Sequence, residues 1–146
     1  MPVSPQISEN NRVQRERLKK LVARLDEHAL RTRLPNGWTV AMTLGHIAFW
    51  DRQRLCLLRR WAAEDFRSGA YDSDVFNDAL APLLGLVPPK AIAQAAVEAA
   101  EEVDRLLEEL PDEVIADALA RPDAPHVNRG EHREHHLDRI DAALGS

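Results

Sequence analysis

Histidine is the side chain best placed for chemistry at neutral pH, as base, proton carrier or metal ligand. This sequence has six, and four of them (His126, His132, His135 and His136) fall within its last 21 residues. His132 and His136 stand four apart. On a helix that is one turn, with Cβ atoms about 6 Å apart, so both imidazoles reach a single ion. At about 100° per residue, Leu137, Ile140, Ala143 and Leu144 define an apolar face centred about 90° from His132. His136 lies on the flank of that face and His132 at its margin, whereas His135 points away. In the first half of the chain, His46 shares a helical face with Met42, Phe49, Trp50, Gln53 and Leu57. An imidazole in such an apolar wall must hydrogen-bond or ligate something. Two arrangements satisfy these positions: His46, His132 and His136 converging on a divalent ion, or a solvated HxxxH pair beside an unrelated core histidine. Three imidazoles with an open fourth position suit zinc, and nickel, iron and manganese accept the same nitrogens.

Other groups are assigned by position. Asp51 and Glu134 are weak candidates for orienting a ligand or moving a proton; the alternative for each is an ordinary surface charge. His126 is a loop residue within reach of the mouth of such a site, and His28 is a surface or edge group. Trp38, Trp50 and Trp61 either line a channel or fill space between helices. Cys56, about 15 Å farther along its helix than His46 and about 80° around it, is expected to be buried packing. Any thiol chemistry would then use a thiol brought from outside. Gly45, one residue before His46, marks close approach by another helix or by a bound group.

The elements that must position these residues follow from periodicity and breakers. Val13, Leu18, Leu21, Val22, Leu25 and Leu30 recur at helical spacing, so a first long helix is expected from about Glu9 to Arg33, with Ser8 as its cap and residues 1–7 as a flexible lead-in. Pro35, Asn36 and Gly37 break it. A central helix follows from about Thr39, its cap, to Glu64. The segment SGAYDSDVFNDALAPLLGL reads as a crossover with a short helix. A third long helix runs from Pro88 or Pro89 to about Leu110, rich in alanine and glutamate. PDEVIADALA is a further turn or two, RPDAPHVN a loop, and Arg129 to Leu144 the last helix. No segment alternates at period two long enough to demand a strand. The expected class is all-α, a four-helix bundle with short helical insertions in the crossovers.

Composition narrows the function classes. The 146 residues are 45% hydrophobic with a single cysteine, which suits one soluble domain over 1–146, without disulfides, in a reducing compartment. The N-terminal residues show neither a signal-like apolar stretch nor an Arg-rich transit segment, so the cytoplasm is the expected location, with no membrane partner. Residues 1–60 carry a net +7 and the remainder −12, for a formal total of −5. The acidic total and the lack of aromatic residues within the basic stretch RVQRERLKKLVARL argue against a nucleic-acid partner.

The stretches GWTVAMTLGHIAFWDRQ and HREHHLDRI together resemble the DinB-like metal-dependent bundle superfamily, over nearly the whole chain. Trp38, Thr39 and Asp51 match its recurrent wording. The resemblance implies a four-helix bundle in which His46 and the His132–His136 pair hold a divalent metal, most readily zinc or nickel. It also implies chemistry on a small-molecule substrate: transfer to an external thiol such as mycothiol or bacillithiol, thiol-dependent isomerisation, or metal-dependent hydrolysis. Homodimers are common among such bundles, and the alanine-rich third helix is a candidate surface, equally readable as a packed face. The competing reading is a non-catalytic, metal-stabilised bundle acting as an interaction or structural protein.

Overall fold

In the computed structural model, which describes residues 4–64, 69, 71–121 and 126–145, helices form the whole framework. They are α1 (Pro5–Arg24), α2 (Glu27–Arg31), α3 (Val40–Glu64), α4 (Ser73–Leu84), α5 (Pro89–Glu109), α6 (Asp112–Ala120) and α7 (Arg129–Leu144). The all-α expectation holds: the only extended pairing among the described residues is an isolated bridge between Arg33 and Thr39. No described helix is long and apolar enough to cross a membrane.

Capping explains where the elements begin. Thr39 Oγ1 accepts from the Met42 amide at 3.0 Å and starts α3, as its residue type predicts. The first helix departs from expectation at both ends. It begins at Pro5, because Ser4 accepts from the Ile7 amide at 3.3 Å and proline is tolerated in the first turn. Ser8 instead donates its hydroxyl to Glu108 on α5. The continuous run to Arg33 is split, because Asp26 accepts from the Ala29 amide at 2.8 Å and caps α2 as a separate helix. Pro88 and Asn128 precede α5 and α7 as expected. Of the expected lead-in, crossover and late loop, residues 1–3, 68, 70 and 122–125 lie outside the described residues.

The long helices close into a ring in which α3 packs on α5 and α7, and α1 packs on the same two. The alanine face of α5 (Ala93, Ala96, Ala99 and Ala100) is buried inside this ring. Two apolar clusters fill it. One gathers Leu18, Leu21, Leu44, Ile47, Leu137 and Ile140, and the other Leu55, Leu58, Val103, Leu107 and Ile115. Between them, each long helix contributes buried polar groups at one level: Asn11 and Gln14 from α1, Asp51 from α3, Asp104 from α5, Arg129 and Arg133 from α7.

Close approach sets the helix spacing at two glycines. A Cβ on Gly45 would lie 2.6 Å from Leu84 Cδ2 and 3.1 Å from Ile92 Cγ2, so its neighbour is packing from α4 and α5. At Gly130 the obstacle is backbone: a Cβ would meet the Asn10 carbonyl oxygen at 2.6 Å, which brings α7 hard against α1. The Gly130 amide donates to Asn11 Oδ1 at 2.8 Å across this contact.

Candidate metal centre

The packing of α3 on α7 brings His46, His132 and His136 together, the three residues singled out by spacing. One donor atom from each lies within 4.8 Å of the others. The ring centroids are 4.4 Å apart for His46 and His136, 5.0 Å for His46 and His132, and 4.7 Å for His132 and His136. His46 Nε2 and His132 Nε2 are 3.1 Å apart. Two imidazole nitrogens on one tetrahedral zinc sit about 3.3 Å apart. The chemistry of the donor set fits as well, because ligation needs neutral imidazole. Burial, reinforced by the Arg129 and His136 charges, pushes His132 down to about 2. Burial and the neighbouring His46 lower His136 to about 3. His46 is also lowered by burial, against a hydrogen bond with Asn77 that favours its charged form. The three histidines could therefore hold a metal ion.

Two clefts meet at His46, Asn77 and His136. The larger, of about 520 Å³, has walls formed by Trp50, Arg54, Tyr71, Ser73, Asn77 and Arg129 together with the three histidines. The smaller, of about 280 Å³, includes Trp38, Asp74, Asp78 and Arg139 in its lining. Trp50 stacks on Tyr71 at 5.8 Å and donates its Nε1 hydrogen to Asn77 at 2.9 Å. Trp38 and Trp50 thus serve the clefts, whereas Trp61, at the other end of α3, is buried and donates to Asp117 at 3.0 Å.

Asp51 is neither a surface charge nor in contact with a histidine. It is completely buried and accepts from Arg129 Nε at 2.8 Å and Arg133 Nε at 3.0 Å. Arg129 stands between it and the histidines, with Nη2 3.4 Å from His132 Nδ1. A guanidinium only donates, so here this ring nitrogen accepts and the His132 proton rests on Nε2; ligation through Nε2 requires that proton on Nδ1, turned away from Arg129. Arg133 continues the network to Asp104 through two bonds of 2.9 and 2.8 Å, and Arg15 reaches the same carboxylate at 2.7 Å. Burial opposes the Arg133 charge, but Asp51 and Asp104 outweigh it and hold the guanidinium above its ordinary range.

These arginines were absent from the sequence candidates, yet the signal was there. At about 100° per residue, Arg129 falls near 60° and Arg133 near 100° from His132, the middle of the inward face. A charge at such a position requires a buried counter-charge. Glu134, by contrast, is exposed, as are His135 and His28. Cys56 is also exposed, correcting the expectation of buried packing. It lies on the outward stripe of α3 with Arg52, Arg59 and Arg60. His126 is exposed and is not among the residues lining either cleft; partial desolvation and the charges of Arg54 and Arg129 lower its pKa.

The sequence model of the DinB superfamily matches residues 11–138, a span that contains all three clustered histidines and the buried arginines. The chain belongs to this superfamily. No curated protein and no solved structure matches it significantly.

Proposed function

We propose that this DinB superfamily member is a divalent-metal-dependent enzyme in which His46, His132 and His136 hold zinc or nickel, and which uses a low-molecular-weight thiol or water on a small electrophilic substrate. The observation that carries this reading is the convergence of three half-buried, neutral imidazoles from two helices at the wall of a substrate-sized cleft. A metal bound there would act as a Lewis acid, lowering the pKa of a thiol or water and polarising an electrophile. The protein's own groups have separable tasks. Asp51 fixes Arg129, and the Arg129 guanidinium packs beside the His132 ring. Trp50 and Tyr71 form one aromatic wall of the cleft. Because Cys56 faces solvent on the outer side of α3, the thiol in this reading comes from outside, with mycothiol and bacillithiol as the first to try.

The same reading places a single domain in the cytoplasm as a homodimer. Support for association comes from Val75, Phe76, Leu83 and Leu86, large apolar side chains left exposed on α4 and just beyond it. Sedimentation velocity at a monomeric mass throughout the micromolar range would remove that element. The metal reading is tested by titrating zinc and nickel into wild type, His132→Ala and His136→Ala, followed by thiol-transfer and hydrolase panels. Stoichiometric binding and activity in wild type alone are expected. Wild-type protein that takes up neither ion at micromolar concentration refutes the reading.

A further inference from the structure

The larger cleft carries a charge pattern that the histidines do not explain. Arg54, one turn beyond Trp50 on α3, lies with its guanidinium carbon 5.4 Å from the Trp50 ring centre and donates through Nη1 to Gln53. Its Nε is shut off from solvent and has no hydrogen-bond partner, the sole such buried side-chain atom among the described residues. No described carboxylate forms an ion pair with it. This contrasts with Arg129 and Arg133 one layer deeper, each of which meets a buried carboxylate. A buried donor without an acceptor is costly, and an arginine edge is shaped for two oxygens of one oxyanion.

The surroundings reinforce this asymmetry. Among the described residues, neither Asp nor Glu lines the larger cleft, whereas Asp74 and Asp78 line the smaller one. The chain as a whole is acidic, at −5, and would repel an anion at long range. Attraction into this cleft must therefore be local.

We propose that the larger cleft selects substrates bearing a carboxylate, with Arg54 as the specificity-determining residue that holds the oxyanion while the rest of the molecule reaches the three histidines. Stacking on Trp50 explains where the guanidinium rests. It leaves the guanidinium without a carboxylate, and a substrate carboxylate in the cleft supplies one. This inference rests on the metal reading for where the reacting end of the substrate lies; the charge selection itself is independent of an ion.

The test uses benzoate, with uncharged benzamide as its isostere, titrated by ligand-observed NMR into the full chain with and without zinc. Zinc affinity and thermal melting are measured alongside. Benzoate is expected to bind about ten- to a hundredfold more tightly than benzamide. Arg54→Met, which keeps the length of the side chain, should lose that preference while zinc affinity and melting stay at wild-type values, and Arg54→Lys should recover part of it. Equal affinity for the two probes, no benzoate binding, or undiminished benzoate binding by Arg54→Met would each overturn the proposal. Benzoate held only when zinc is present, and equally by Arg54→Met, assigns the carboxylate to the ion and also overturns it. Should wild type bind no zinc, the metal reading fails by itself, and the benzoate titration of that same protein still decides the role of Arg54. If Arg54→Met melts early, the benzamide comparison and Arg54→Lys carry the decision.

Discussion

Two polar clusters lie side by side where α3 meets α7, and they are completed in different ways. The ionic layer of Asp51, Asp104, Arg129 and Arg133 is charged, buried and paired within the chain. The histidine cluster is uncharged, partly exposed, and opens on two clefts. Charges survive inside a protein only with partners in place, because desolvation otherwise exceeds any gain. Neutral imidazoles carry no such requirement and keep their nitrogens available to groups from outside. The first cluster is therefore built to hold four helices in register, and the second to meet a ligand. Arg129 joins them through its contacts with Asp51 and His132.

The largest effect should come from breaking the ionic layer. Asp51→Ala leaves the buried Arg129 without a carboxylate and Arg133 with Asp104 alone, and should cost about 3–5 kcal/mol of stability, measured by urea denaturation. A cost below about 1 kcal/mol would mean that the layer is not structural. The histidine cluster should respond in the opposite sense, through its ligand. Zinc at a hundredfold excess over its dissociation constant should stabilise wild type by about 2.7 kcal/mol, and His132→Ala should abolish that increment in a melting experiment. An equal zinc increment in the variant would separate His132 from the metal.

Gly130 tests whether both clusters depend on the same helix contact. Gly130→Ala forces α7 away from the Asn10 backbone and should cost about 1–3 kcal/mol, with weakened zinc binding, as read by denaturation and metal titration. Gly45→Ala meets the flexible end of Leu84 and should cost less. The smallest effect is expected at Glu134, which is exposed on α7. Glu134→Ala should change stability by no more than about 0.5 kcal/mol and leave zinc affinity as it was. A clear loss of affinity would restore it as a group acting on the histidines.

Much of the histidine cluster was legible before any coordinates. An i,i+4 pair and a lone histidine on an apolar face are local patterns, and the bundle packing of α3 on α7 brings them together. The ionic layer was less legible for a physical reason. Asp51 looks like an exposed acid unless Arg129 and Arg133, 78 and 82 residues away, are known to reach it. Their place in the middle of the inward face of α7 was the available signal. Cys56 failed in the opposite direction: a small apolar residue between Leu55 and Leu57 reads as core, yet it lies on the side of α3 that faces outward. The split at Asp26 was missed because hydrophobic period was weighed over a cap residue.

By itself, the sequence determined the all-α class, the positions of the long helices, the faces that His46, His132 and His136 occupy, and the resemblance to the DinB superfamily. Each depends on patterns repeating within a few turns, where backbone geometry leaves little choice. Only the tertiary structure decided which acid meets which arginine, that Arg54 meets no acid among the described residues, and that the two clefts differ in charge. Those outcomes depend on distances between helices, and a side chain's electrostatic partner is chosen by packing across the bundle.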